Sequence, residues 1–122
     1  MASYVGTKTS GSVSISGINI KSLKDHPVIL VEDIIDTGLT LSQMIPKIQE
    51  EGQPTSIEVV SLLTKRHDSK ETTVVETMVE AKYSGFSIPD EFVIGFGLDC
   101  NEWYRDLEDI WVISEKGKSF AL

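Results

Sequence analysis

Three observations predict an α/β fold with a mainly parallel sheet flanked by helices. Val28-Ile29-Leu30-Val31 is an uninterrupted apolar run, which suits a strand buried on both faces as in a parallel sheet. Leu41, Met44, Ile45 and Ile48 then recur at the spacing of an amphipathic helix. A second apolar run follows from Ile57 to Leu63. Strand, helix and strand in that order imply a right-handed crossover. The polar residues after each strand should then gather at the carboxyl edge of the sheet.

Taken in order, residues 11–20 (GSVSISGINI) set Val13, Ile15, Ile18 and Ile20 among small and polar residues, which predicts a half-buried hairpin. Pro27 opens the first buried strand, which ends in Glu32-Asp33. The helix follows Gly38 and is stopped by Gly52 and Pro54; Pro46, inside its apolar stripe, is expected to kink or shorten it. The second strand ends in Thr64-Lys65-Arg66. Residues 67–82 are charged and Thr-rich and predict no defined element. Phe92-Val93-Ile94-Gly95-Phe96 and Ile110-Trp111-Val112-Ile113 predict a third and a fourth strand.

The 122 residues suffice for one domain, 1–122, with a modest core. Eleven basic against nineteen acidic residues give a net charge of −8, which argues against gathering nucleic acid or anionic membrane by bulk charge. A mean hydropathy of −0.03 without a long apolar run excludes a transmembrane helix. Cys100 stands alone and Met1-Ala2-Ser3-Tyr4 opens no secretory segment, so a reducing, cytoplasmic setting is expected. His26 and His67 have no partner at ligand spacing; both read as ordinary surface residues, and no zinc site is expected.

The chemistry concentrates in Glu32-Asp33-Ile34-Ile35-Asp36-Thr37-Gly38-Leu39-Thr40. The first-turn amides of a helix lack intrahelical partners and carry partial positive charge, so an anion is favoured there. Gly38 leaves room for a phosphate to approach the backbone, and Thr37 and Thr40 add hydroxyl donors. Glu32 and Asp33 suit ribose hydroxyls or a hard divalent cation. The pattern describes a pocket for a phosphorylated sugar. A plain helix cap would explain Asp36 or Thr37 alone, at about 1 kcal/mol, but not three carboxylates within five positions. A receiver-type domain also gathers strand-end acids, yet it leaves Asp-Thr-Gly opening a helix without a reason.

Val28 to Thr40, VILVEDIIDTGLT, resembles the signature with which phosphoribosyltransferases bind phosphoribosyl pyrophosphate, in the form of the 6-oxopurine branch. Ser3-Tyr4 with Gly6-Thr7-Lys8-Thr9 is similar to the family's mobile catalytic loop. Leu62-Leu63-Thr64-Lys65-Arg66 resembles its purine-contacting strand end. Residues 88–99 and 101–107 resemble its C-terminal signature. The resemblance runs from about Ser3 to the C-terminus and implies a type I phosphoribosyltransferase-like fold.

It further implies Mg²⁺-dependent transfer of the phosphoribosyl group to hypoxanthine or guanine, with loss of pyrophosphate, in a homo-oligomer (dimer or tetramer). By that resemblance Glu32 and Asp33 hold ribose hydroxyls or Mg²⁺, and Asp36 is the general acid or base at the purine N7. Thr37, Gly38, Leu39 (through its amide) and Thr40 cradle the 5′-phosphate. Lys65 donates to the exocyclic oxygen, Phe92 stacks on the base, and Val93 offers its backbone to the base edge. Asp99 serves the purine side and a second Mg²⁺, and Arg105 meets pyrophosphate. Ser3 and Tyr4 close over the site. Taken alone, Phe92 and Val93 read as core, Lys65 as a surface lysine, and Arg105 with Asp106 as a solvated ion pair.

Cys100 departs from an aromatic position of the family, and the segment 67–82 is longer than its pattern. The family's N-terminal strands and pyrophosphate-binding loop have no counterpart in these residues. An incomplete domain is therefore expected, with a sheet edge beside VILVED that needs cover. The alternative of another class is a catalytically silent C-terminal fragment or isoform that binds ligand or a full-length subunit.

Overall fold

The computed structural model describes residues 15–67 and 79–122. The chain divides into two compact units, Met1–Ser87 and Ile88–Leu122.

In the first, a 3-10 turn (Ile20–Leu23) precedes β1 (Pro27–Ile35), α1 (Leu39–Gly52) and β2 (Ser56–Arg66), and β3 (Tyr83–Pro89) completes a sheet of order β1-β2-β3. β1 and β2 are parallel, in register from Pro27↔Ser56 to Ile35↔Thr64, with α1 as the crossover. Contacts to the next strand advance in the same sense: Lys82 N donates to Val59 O, and Arg66 donates to Ser87 O. β3 is therefore parallel as well. The α/β architecture expected from the strand–helix–strand pattern is present.

The stripe Leu41, Met44 and Ile48 of α1 is buried with Ile35 and Val59, and Leu30, Ile45 and Ile57 pack around it. This burial explains why α1 runs unbroken for 14 residues through Pro46. One missing backbone donor weighs less than an apolar stripe that holds both halves of the helix to the sheet. The expected shortening does not occur.

The continuous apolarity of β1 does not translate into burial on both faces. Exposure alternates along the strand, with Leu30 in the core but Ile29 66 % and Val31 76 % exposed. α1 covers one face only, and β1 is an outer strand among the described residues. The expected hairpin fares differently at its two ends. Its first residues, 11–14, lie outside the described residues, and residues 15–20 hold bends and the start of the 3-10 turn rather than a strand.

β3 was not foreseen, because Tyr83-Ser84-Gly85-Phe86-Ser87 lacks apolar alternation and its side chains are exposed. Gly85 permits the pairing: a Cβ there would come within 2.9 Å of the Leu62 carbonyl oxygen.

In the second unit β4 (Val93–Ile94) pairs antiparallel with β5 (Trp111–Val112), and α2 (Glu115–Ala121) follows. Both strands are shorter than the apolar runs that predicted them. The chain leaves β4 through left-handed conformations at Gly95, Phe96 and Gly97 (φ 90, 55 and 94°), which extended pairing does not allow. Ser114 caps α2, its Oγ accepting from Gly117 N. Ile94, Leu98, Ile113 and Ala121 are buried, and the rings of Trp103 and Phe120 meet edge to face at 5.3 Å. No described helix is long and apolar enough to cross a membrane.

Candidate functional site

Parallel pairing at Ile35↔Thr64 makes the next residues, Asp36 and Lys65, leave the carboxyl edge of the sheet side by side. Lys65 Nζ donates to Asp36 Oδ2 at 3.1 Å. The Lys65 side chain is only 9 % exposed, whereas Asp36 keeps 53 %. A withdrawn ammonium needs an anionic or polar partner, and Asp36 supplies one while staying open to a ligand.

His67, two residues beyond Lys65, reaches the same acid. Its Nε2 lies 2.9 Å from the Asp36 carbonyl oxygen and 3.0 Å from Oδ1. At 16 % exposure its side chain is not the ordinary surface histidine read from spacing alone. Residues i and i+2 of an extended segment share a side, so the signal was present in the Lys65-Arg66-His67 order. It becomes readable only once β1 is known to pair with β2.

The turn after Asp36 depends on a glycine. Gly38 takes a left-handed conformation (φ 72°) immediately before α1, so its lack of Cβ is needed for the backbone itself. Thr37 Oγ1 accepts from Leu39 N at 3.3 Å from just outside α1, whose N-cap is Gly38, while the Asp36 carboxylate is turned to Lys65 and His67. Thr37, Leu39 and Thr40 are exposed.

Glu32 and Asp33 are not brought together as a chelating pair. By the two-residue period of a strand they leave opposite faces, Glu32 half-buried and Asp33 exposed. Burial, and then the neighbouring charge of Asp33, push the Glu32 carboxyl above its usual 4.5. Asp33 Oδ1 accepts from Ile34 N at 2.7 Å.

The second unit carries the remaining predicted residues. Asp99 Oδ1 pairs with Arg105 at 3.1 Å, and its Oδ2 accepts from Glu102 N at 2.8 Å. Arg105 also donates to Gly97 O and to Glu102 Oε1, at 2.9 and 3.0 Å. Its guanidinium is thus tied to Asp99 and Glu102. Asn101, Glu102 and Tyr104 all have positive φ, so this loop holds a conformation that ordinary side chains disfavour. Phe92 is 45 % exposed, with its carbonyl bonded to Ile113 N, rather than a core residue, and Val93 is half-buried in β4. The loop predicted around Ser3 and Tyr4 lies outside the described residues.

A family model, the phosphoribosyl transferase domain, matches residues 2–101. Hypoxanthine-guanine phosphoribosyltransferases of Canis lupus familiaris, Homo sapiens and Mus musculus are each 38% identical to the chain over 120 residues. The alignments cover 98% of this chain and 52% of each relative, so the chain spans about half the length of the curated relatives it matches. With a parallel sheet whose paired strand ends carry an acid, a lysine and a glycine turn into a helix, the chain belongs to the phosphoribosyl transferase domain family.

Proposed function

We propose that the protein is a purine-salvage phosphoribosyltransferase that joins hypoxanthine or guanine to the phosphoribosyl group and releases pyrophosphate. The observation that carries this reading is the Asp36–Lys65 pair beside the Gly38 turn. An ammonium only donates and a carboxylate only accepts. Side by side they match a base with an acceptor oxygen next to a ring N–H, which is the O6 and N7–H edge of a 6-oxopurine. A 6-amino group would set donor against donor and be rejected.

In the transfer, a ring nitrogen of the base forms the new bond to the anomeric carbon, whose bond to the pyrophosphate oxygen breaks. Asp36 takes the N7 proton as this bond forms, while Lys65 holds the exocyclic oxygen. The exposed hydroxyls of Thr37 and Thr40, with the first-turn amides of α1 and the Leu39 amide, receive the 5′-phosphate. In the second unit Phe92 offers an exposed ring face for stacking and Val93 its backbone for the base edge. Asp99 serves the purine side, and Arg105 turns its planar fork to pyrophosphate by exchanging its bonds to Asp99 and Glu102. Ser3 and Tyr4, outside the described residues, are assigned to the family's closing loop by the resemblance of their sequence alone.

Glu32 and Asp33 fit Mg²⁺ by chemistry, being oxygen donors whose mutual repulsion a cation relieves. Because they leave opposite faces, they fit it singly or through ribose hydroxyls rather than as a clamp. Asp99 fits it less directly, since Arg105 already meets its charge. When bound, the ion neutralises the pyrophosphate leaving group. The same reading includes self-association as a dimer or tetramer and a cytoplasmic setting in keeping with the free Cys100.

The test is initial-rate nucleotide formation by the purified chain with phosphoribosyl pyrophosphate, Mg²⁺, and hypoxanthine, guanine or xanthine in competition. Turnover that falls by about 100-fold or more in Asp36→Asn supports the reading. Absence of calorimetric heat with phosphoribosyl pyrophosphate and Mg²⁺, together with no effect of Asp36→Asn, overturns it. Ligand binding without turnover identifies the silent form instead.

A further inference from the structure

We infer that His67 is a positioning residue that fixes the Asp36 carboxylate for proton transfer; this rests on the proposed role of Asp36. His67 Nε2 faces two oxygens of one residue, the Asp36 carbonyl at 2.9 Å and Oδ1 at 3.0 Å. Both oxygens accept only, so Nε2 carries the hydrogen and shares it between them. A donor shared by the main chain and side chain of the same residue restrains the torsions that link them.

The other carboxylate oxygen, Oδ2, is taken by Lys65 at 3.1 Å. Each oxygen of Asp36 thus has its own donor, and both donors come from the end of β2. The two do different things. An ammonium on a flexible stem supplies charge without a fixed direction, whereas a half-buried imidazole supplies a directed N–H. Direction is what Asp36 lacks by itself, because it stands on an exposed turn between β1 and the left-handed Gly38. A general base performs only when aimed at its proton, and small misplacements are costly in rate.

The test compares His67→Leu with His67→Gln, whose amide can replace the Nε2 donor. Steady-state rates with guanine and phosphoribosyl pyrophosphate are read beside the Asp36 carboxyl ¹³C resonance at pH 7.5. His67→Leu is expected to lower kcat about 10-fold with both KM values within about twofold, and His67→Gln to recover it to within about threefold. Should the apolar variant not fold, His67→Asn takes its place, since its amide is too short to span both oxygens. Unchanged kcat in the donor-less variant, or a His67→Gln no better than it, overturns the inference. If the unmodified chain shows no turnover, the proposed function fails separately and the ¹³C resonance decides. Displacement in the donor-less variant with return in His67→Gln supports positioning, and identical resonances in all three overturn it.

Discussion

Lys65 and Asp36 form a 3.1 Å ion pair although 29 residues separate them. Parallel register alone makes the contact, because Ile35 pairs with Thr64 and each strand delivers its next polar residue to the same edge. The lysine is the more buried partner, so the pair presents its acid and shelters its cation.

Under the proposed function, replacing Lys65 should affect the base and spare the sugar phosphate. Lys65→Met is expected to lower kcat/KM for hypoxanthine by about 10- to 100-fold, the range of a hydrogen bond to a charged group. Calorimetric affinity for phosphoribosyl pyrophosphate should stay within about twofold. An equal loss for both ligands would mean that the pair holds up the whole edge rather than reading the base.

Glu32 should make stability depend on pH in a known sense. Its carboxyl is pushed above 4.5, by burial first and by Asp33 second, so ionising it costs folding free energy. The cost is absent below the usual carboxylate range and grows as pH rises through the elevated value. In metal-free buffer, Glu32→Gln should melt higher than the unaltered chain at pH 7 and alike below about pH 4. Thermal melts across that interval check it, and an equal offset at every pH would assign the effect to packing.

Gly95 and Gly97 separate backbone strain from steric overlap. Both have φ near +90°, but a Cβ on Gly95 would overlap the Asp109 carbonyl oxygen, while one on Gly97 meets nothing within 4 Å. Gly97→Ala should cost about 1 kcal/mol for the left-handed conformation. Gly95→Ala should cost about 3 kcal/mol or more, since a carbonyl cannot move aside as a flexible side chain does. Urea titration of the two variants measures the difference, and equal values would contradict the geometry.

Met44 is 1 % exposed in the middle of the α1 stripe, packed with Ile35, Leu41, Ile48 and Val59. Met44→Ala should lose about 2–5 kcal/mol, and the volume-matched Met44→Leu less than about 1.5 kcal/mol. Denaturant midpoints at unchanged slope check both. A loss below about 1 kcal/mol in Met44→Ala would place the main core elsewhere.

The elements visible in the sequence are those whose signals are local. The stripe of Leu41, Met44 and Ile48 has helical period, Gly38 and Gly52 bound it, and the two apolar runs are strand-like whatever lies beside them. The acids, threonines and glycine after the first run are likewise a local signal, gathered within a dozen residues. β3 escaped because its residues are exposed and its pairing depends on a backbone approach at Gly85, which has no hydrophobic signature.

What the sequence determined by itself is therefore the order of strand, helix and strand and the placing of Asp36 and Lys65 at strand ends; Glu32 and Asp33, expected to end the first strand, lie inside β1, which runs on to Ile35. What only the tertiary structure decided is which of them meet. Glu32 and Asp33, neighbours in sequence, part to opposite faces by the period of a strand. Asp36, far in sequence from Lys65 and His67, meets both through register between parallel strands. It also decided that Ile29 and Val31 stay exposed, since one helix covers one face of a sheet. Periodicity along a chain is set by each residue's own backbone geometry, whereas pairing and burial belong to surfaces that exist only after the chain has folded.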